Sequence, residues 1–142
     1  MTQQKKQVSV LCVDDNPEVA EALKLRLSRE KRFRWVGWLP QANDLLDATR
    51  LHGPTLVLLD LDMPGVDPFE AMASLSRECP DTRVVVFTGH VRLDFIDRAL
   101  EAGAWGFASK NDGEGELLRL LSAVAAGEVA FTPEARAALK RR

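Results

Sequence analysis

The sequence predicts an α/β protein built on a doubly wound parallel sheet. Five short apolar runs recur along the chain, and segments with helical spacing separate them. The runs span residues 8–13, 33–39, 55–60, 83–87 and 105–109. Strand and helix therefore alternate five times, which is typical of a parallel sheet with helices on both faces. Since crossovers between parallel strands are right-handed, few topologies remain.

The first, third and fourth runs carry the clearest strand signal. They read "VSVLCV", "TLVLLD" and "RVVVF", and their apolar residues are continuous rather than alternating. Such runs are typical of strands that are covered on both faces. The runs "FRWVGWL" and "WGFAS" complete the predicted set of five strands.

The intervening segments have the spacing of amphipathic helices. Asn16 and Pro17 supply a cap and a first-turn proline, so the first helix is predicted to run from there to about Glu30. The next three helices are predicted at 41–51, 68–78 and 92–102. A fifth is predicted at 113–126, with Asp112 as its cap. A sixth could start at Thr132-Pro133.

Length and composition indicate one cytoplasmic domain. The chain has 142 residues, of which 46% are hydrophobic and 28% charged, as in soluble globular proteins. A net charge of −2 gives no bulk reason to expect nucleic-acid binding. No apolar run approaches the roughly 18 residues of a membrane span, and the polar N-terminus lacks the apolar core of a signal peptide. The two cysteines show neither metal spacing nor a disulfide framework.

Reactive side chains follow four of the five predicted strands. Asp14 and Asp15 follow the first strand, and Asp60 ends the third. Thr88 comes directly after the fourth run, and Lys110 directly after the fifth. In an open parallel sheet, ligands bind beyond the carboxyl ends of the strands. These residues are therefore predicted to converge at one edge of the fold.

The combination has a chemical interpretation. Crowded carboxylates repel, by roughly 4 kcal/mol for a pair about 4 Å apart at an effective dielectric near 20, so either one is protonated or a cation lies among them. Oxygen ligands without histidine or cysteine favour Mg²⁺ over zinc. A carboxylate beside Mg²⁺, with an ammonium and a hydroxyl nearby, is equipped to accept a phosphoryl group.

At these residues the sequence resembles the receiver domain of two-component response regulators. The resemblance covers about Val8 to Gly127 and depends on the motifs "VDDNP", "LLDLDMPG", "VVVFTGH" and "GAWGFASKND" in that order. The later part of the chain is similar to NarL/FixJ-type regulators, which carry a LuxR-type output. The resemblance implies a flavodoxin-like (βα)5 fold with strand order 2-1-3-4-5. Flavodoxin and chemotaxis receivers have this order.

The resemblance also implies the roles of the acidic residues. Asp60 would accept the phosphoryl group. Asp15 and Asp60 would bind Mg²⁺, or Mn²⁺ as an alternative, through their side chains, and Asp62 through its backbone carbonyl. Asp14 would act through water.

Further roles follow from the same resemblance. Thr88 and Lys110 would each bond a phosphoryl oxygen, and Phe107 would reorient as Thr88 is drawn inward. Asp62 and His90 occupy positions that tune the rate of dephosphorylation. Asn111 stands where many receivers have a proline.

The implied function is a phosphorylation-dependent switch that controls an output, with transcription as the expected one. The donor would be a sensor histidine kinase or a phosphotransfer protein, and a homodimer is a further expected assembly. Such a protein is not an enzyme in the usual sense, although it would catalyse its own phosphorylation and dephosphorylation. Residues 1–130 are predicted to be the receiver, and 131–142 a C-terminal tail or the start of a linker to an absent output domain. The chain itself is not expected to bind nucleic acid or membrane.

Two other functions remain open from the sequence. One is a binding module of receiver fold that acts without phosphorylation. The other is a phosphatase, because "LDLDMPG" also resembles the D-x-D motif of haloacid-dehalogenase-type enzymes. That family places the motif at its first strand and an acidic pair late in the chain, which is the reverse of the order here.

Overall fold

Six parallel strands form one sheet in the computed structural model, which describes residues 7–141. The strands are β1 (Val8–Val13), β2 (Phe33–Leu39), β3 (Leu56–Leu59), β4 (Arg83–Thr88), β5 (Gly106–Ser109) and β6 (Ala130–Phe131). The helices are α1 (Pro17–Ser28), α2 (Leu45–His52), α3 (Pro68–Glu78), α4 (Leu93–Glu101), α5 (Glu114–Ala125) and α6 (Pro133–Lys140). A short 3-10 turn, Ala42–Asp44, leads into α2.

The strand order is β2-β1-β3-β4-β5-β6. The predicted order 2-1-3-4-5 and the doubly wound α/β class are therefore confirmed. The sequence did not predict β6, which adds one edge strand beside β5 and pairs Gly106 with Ala130 and Phe107 with Phe131.

The sheet separates two apolar layers. Alternate residues of the central strands enter opposite layers, so that Leu11 packs on one face and Val10 on the other. Helices α2, α3, α4 and α6 cover the first face, while α1 and α5 cover the second. All residues of β1 and β3 are buried, as their continuous apolar runs predicted.

Two predicted caps have different outcomes. The Asn16 carboxamide accepts a hydrogen bond from the Glu18 amide at 2.9 Å, so the start of α1 is confirmed. The prediction for Asp112 is wrong, because Gly113 occupies the cap of α5. The Asp112 carboxylate instead accepts a hydrogen bond from the Glu134 amide at 3.1 Å, in the first turn of α6.

The C-terminal segment packs against the sheet. The predicted sixth helix is present as α6, and its residues Ala135 and Ala138 are buried in the first apolar layer. The division at residue 130 into a receiver and a tail or linker stays a prediction. Residues 1–6 and 142, which that division included, lie outside the described range.

Candidate functional site

The predicted site residues lie at the carboxyl ends of four adjacent strands. Asp14 comes directly after β1 and Asp60 directly after β3, while Thr88 is the last residue of β4 and Lys110 comes directly after β5. Strands β1, β3, β4 and β5 are neighbours in the sheet and parallel. Positions almost a hundred residues apart along the chain therefore meet at one edge.

Lys110 lies between two buried carboxylates. Its Nζ is 2.7 Å from Asp14 Oδ2 and 3.1 Å from Asp60 Oδ2. The side chains of Asp14 and Asp60 are only 2% and 5% exposed, so water solvates them little. The backbone holds both: the Asp60 amide donates to the Val13 carbonyl at 2.9 Å, and Asp14 Oδ1 accepts from the Asn16 amide at 2.9 Å.

Burial dominates the electrostatics of this group. It raises the pKa of Asp60 above its ordinary value, although the charge of Lys110 and its hydrogen bond oppose the shift. Burial alone would lower the pKa of Lys110, but its contact with Asp14 and the charge of Asp60 more than offset this and raise it. The ammonium of Lys110 therefore stays charged. Burial destabilises the ionised form of Asp60, and the nearby ammonium offsets this only in part.

Three carboxylates could hold a metal ion. One oxygen from each of Asp14, Asp15 and Asp60 lies within 4.8 Å of the others. Asp14 Oδ2 is buried, and residues 7–141 offer it no well-aligned hydrogen-bond donor apart from its ion-pair contact with Lys110. Asp15 is exposed, so a hydrated cation has access. An all-oxygen set with solvent access fits Mg²⁺, which keeps several waters when bound.

The thiol below the acidic residues is not a candidate ligand. Burial raises the pKa of Cys12 to about 12, and the negative charge of Asp14 adds to the shift. A thiol must lose its proton to bind metal or attack an electrophile. Cys12 therefore remains protonated, and both it and Cys79 are free cysteines.

Two exposed side chains face each other at the rim of the site. His90 Nε2 lies 3.3 Å from Asp62 Oδ2, and the two side chains are 67% and 74% exposed. The Asp62 amide also donates to Asp60 Oδ1 at 3.3 Å. The two residues for which the resemblance implied a tuning role thus bridge the loops after β3 and β4.

Thr88 and Phe107 are both buried. Thr88 has no exposed surface, and its Oγ1 accepts a hydrogen bond from the His90 amide at 3.2 Å. Phe107 is 1% exposed and packs in the first apolar layer. The structure therefore places Thr88 at the strand end next to the acidic residues, and Phe107 inside the core.

The sequence interpretation missed one supporting residue. Trp38 Nε1 donates a hydrogen bond to the Asp14 carbonyl oxygen at 2.7 Å, which ties the end of β2 to the acidic turn. The signal was present, since the predicted strand order places the end of the second strand beside the end of the first. In the sheet Trp38 pairs with Cys12, two residues before Asp14.

The fold is that of a known family. Residues 10–122 match the family model described as the response regulator receiver domain. This match spans most of the chain, so the chain belongs to the response regulator receiver domain family, and the resemblance inferred from the motifs is confirmed.

Individual relatives agree with the family match. Response regulator GacA of Pseudomonas aeruginosa is 33% identical over 127 residues, which cover 89% of this chain and 59% of that protein. The crystal structure of a LuxR-family two-component response regulator from Aurantimonas sp. SI85-9A1 superposes with a TM-score of 0.90 at 27% identity, covering 96% of this chain and 97% of the other. The signal receiver domain of NarL from Mycobacterium tuberculosis gives 0.81 at 28% identity, covering 87% and 99%. The chain therefore spans less than two thirds of the length of GacA.

The length and apolar character of the helices bear on the expectation that the chain does not bind a membrane. Among residues 7–141, no helix has both the length and the apolar character needed to cross a bilayer.

Proposed function

We propose that this chain is a phosphorylation-dependent signalling switch in which Asp60 is the phosphoacceptor. The observation that carries the proposal is a buried carboxylate, 5% exposed, with the Lys110 ammonium 3.1 Å away at the carboxyl edge of the sheet. The donor would be the phosphohistidine of a sensor histidine kinase or of a phosphotransfer protein. Family membership supports this chemistry.

In the transfer, an Asp60 carboxylate oxygen attacks phosphorus, and the bond between phosphorus and the donor's histidine nitrogen breaks. The freed imidazole takes a proton from solvent, and Asp60 becomes an acyl phosphate. Lys110 neutralises charge on one transferring oxygen, and the Thr88 hydroxyl donates a hydrogen bond to another. Mg²⁺, held by Asp15, Asp60 and the Asp62 carbonyl, would supply further positive charge at those oxygens. Asp14 would act on that site through water.

The switch would follow from the new charge. The acyl phosphate carries up to about two negative charges near pH 7 in place of the single charge of the Asp60 carboxylate, and it presents three acceptor oxygens. The Thr88 hydroxyl would donate to one of them; its oxygen now accepts from the His90 amide at 3.2 Å, and a movement of Thr88 toward the phosphoryl group would lengthen that bond. The loop after β4 then loses a contact, and Phe107 repacks as Thr88 moves. A packed site with two arrangements is the kind of element that such a charge can bias.

Asp62 and His90, at the rim of the site, would set the lifetime of the phosphorylated state. Hydrolysis needs a water molecule to attack phosphorus, which releases inorganic phosphate and restores the Asp60 carboxylate. Asp62 and His90 bridge the loops at this edge, at 3.3 Å from each other. Their side chains would therefore control how that water approaches.

An apolar groove beside the site supports access by a partner. A cavity of about 200 Å³ lies between α1 and α5, is lined largely by apolar side chains, and reaches Lys110. The phosphodonor protein would bind next to this edge. The output would be transcriptional, as the LuxR family of the solved relative suggests, with a homodimer as a further assembly. Since this chain matches only part of GacA, DNA binding is not proposed for the chain itself.

The test is labelling with acetyl phosphate and Mg²⁺, followed by intact and peptide mass spectrometry. We expect one phosphoryl group on Asp60 in the wild type and in Asp47→Asn, an exposed aspartate on α2, and none in Asp60→Asn. Beryllium fluoride with Mg²⁺ should change the fluorescence of Trp105 in the same two proteins. Absence of both effects would favour the binding module, and steady turnover of a generic phosphomonoester would favour the phosphatase.

A gel shift tests the nucleic-acid part of the proposal. We expect no sequence-specific complex at physiological salt, because the net charge is −2. A specific complex formed by this chain alone would contradict the proposal.

A further inference from the structure

The start of α6 holds the loop between β5 and α5 through four hydrogen bonds. We name this group the α6 clamp; its members are Ser109, Asn111, Asp112, Thr132 and Glu134. Thr132 Oγ1 accepts from the Ser109 amide at 2.9 Å, and this bond is buried. Glu134 Oε2 accepts from Ser109 Oγ at 3.1 Å, and Glu134 Oε1 accepts from Asn111 Nδ2 at 3.3 Å. In return, Asp112 Oδ2 accepts from the Glu134 amide at 3.1 Å.

The clamp surrounds the backbone of Lys110. Glu134 binds the residue before Lys110 with one carboxylate oxygen and the residue after it with the other. Ser109 Oγ also accepts from the Asn111 amide at 3.0 Å, which closes a tight turn around Lys110. No proline restrains this turn, because Asn111 stands at the position after the lysine. The side-chain bonds therefore restrain the loop, together with a backbone bond from the Asp112 amide to the Ser109 carbonyl at 3.2 Å.

The same loop is joined to the end of β4. The Lys110 amide donates to the Thr88 carbonyl at 2.8 Å, and Asn111 Nδ2 lies 3.4 Å from the Gly89 carbonyl. One carboxamide thus contacts both Glu134 and the residue that follows Thr88. The position of α6 is linked through this loop to both residues that are proposed to bond the phosphoryl oxygens.

We propose that Glu134 is a positioning residue for the phosphorylation of Asp60. Its carboxylate accepts from the side chains of Ser109 and Asn111, which flank Lys110, and thereby restrains the turn that places Nζ at hydrogen-bond distance from Asp60. The inference rests on the proposed function, because it assigns Glu134 a part in that reaction. It also has a reciprocal consequence: if Lys110 moves toward a phosphoryl group, the strain reaches the first turn of α6. The site would then influence the position of α6.

Three variants separate positioning from general stability. Glu134→Ala removes both acceptors, while Glu134→Gln keeps one side-chain oxygen and should be intermediate. Glu128→Ala removes an exposed carboxylate from the same C-terminal segment, and it is the matched control for charge. A double-mutant cycle of Glu134→Ala with Ser109→Ala measures whether the two side chains act together.

Two measurements apply to each variant. The first is the rate of Asp60 labelling at saturating acetyl phosphate and Mg²⁺, together with the Mg²⁺ dissociation constant. The second is amide hydrogen exchange in residues 109–112 without any phosphoryl donor. We expect about tenfold slower labelling for Glu134→Ala, as for other residues that orient a reacting group, and an unchanged Mg²⁺ constant. Exchange should quicken in residues 109–112 but not in the turn after β1.

The outcomes are distinguishable. Labelling at the wild-type rate in Glu134→Ala, or an equal loss in Glu128→Ala, overturns the inference. Unchanged exchange in residues 109–112 overturns it as well, since the clamp would then not hold the loop. If the wild type itself is not labelled, the proposed function fails, and the exchange measurement still decides whether Glu134 restrains the turn around Lys110.

Discussion

Replacing Lys110 by methionine tests the charge balance of the site most directly. The substitution keeps an unbranched side chain of similar length and removes the ammonium that lies 2.7 Å from Asp14 and 3.1 Å from Asp60. Coulomb's law at an effective dielectric of 20 gives about 6 and 5 kcal/mol for these two contacts. Most of that attraction is offset by the free energy needed to bury the ammonium.

The net effect is set by the carboxylates that lose their partner. Removing one member of a buried ion pair destabilises a protein by about 3–5 kcal/mol. The side chain of Lys110 is 22% exposed, so water relieves part of the loss. We therefore expect the free energy of unfolding to fall by about 3 kcal/mol at neutral pH without divalent cation.

Two conditions should restore part of the stability that Lys110→Met loses. Mg²⁺ that binds the folded state at about 100 times its dissociation constant adds roughly 2.7 kcal/mol, and it would also supply the missing positive charge. Acid should help too, because burial raises the pKa of Asp60. A carboxyl group whose pKa is higher in the folded state than in the unfolded state binds its proton more tightly when the protein is folded. Its stabilising contribution is therefore present at low pH and is lost as the pH rises through that pKa.

The assay is urea unfolding with EDTA or Mg²⁺, at neutral and mildly acidic pH. Lys24→Met, which changes an exposed lysine on α1, is the matched control and should behave as the wild type. If Lys110→Met in EDTA unfolds within about 0.5 kcal/mol of that control, the size of an ordinary surface substitution, the charge balance described here is wrong. A Mg²⁺ response no larger than that of the wild type would refute it equally.

Three other predictions concern the same edge of the sheet. Asp60→Asn should raise the free energy of unfolding by about 1 kcal/mol at neutral pH without Mg²⁺, because burial disfavours this carboxylate; the gain should vanish in urea titrations as the pH falls through the Asp60 pKa. Trp38→Phe removes the 2.7 Å bond to the Asp14 carbonyl and should weaken Mg²⁺ binding by up to about tenfold, as measured by calorimetry. His90→Ala and Asp62→Ala should each change the lifetime of phosphorylated protein by roughly two- to fivefold, the range for one exposed side-chain contact of this kind. The double variant should do no more than either single one, and additive effects would contradict their pairing.

The candidate site was predictable because its residues are tied to strand ends. The runs before Asp14 and Asp60 are continuous and apolar, so the point where each strand leaves the core is clear from the sequence. Parallel pairing then brings those ends together without any knowledge of side-chain contacts. The meeting of Asp14, Asp60 and Lys110 at one edge followed from this rule alone, whereas the contacts of Lys110 with both carboxylates come from the structure.

The additions at the C-terminal end were not predictable by the same means. Strand β6 has only two residues, Ala130 and Phe131, which is too short for any periodicity. Asp112 directly precedes the helix predicted at 113–126, and the local rule for helix caps assigned it there. The start of α6 competes for the same carboxylate across 22 residues, and a local rule does not include such a contact.

The hydrogen bond between the Lys110 amide and the Thr88 carbonyl has a consequence for how the switch would work. Lys110 and Thr88 are the two residues proposed to bond phosphoryl oxygens, and this 2.8 Å bond joins their backbones. Before phosphorylation, the lysine pairs with Asp60 and Asp14, and the threonine accepts from the loop after β4. After it, both side chains would turn to the same group. Because this bond joins the two backbones, a shift of one would be passed to the other, so the two movements would be coupled and a partial response would be disfavoured. A sheet edge of this kind favours two discrete states over a graded one.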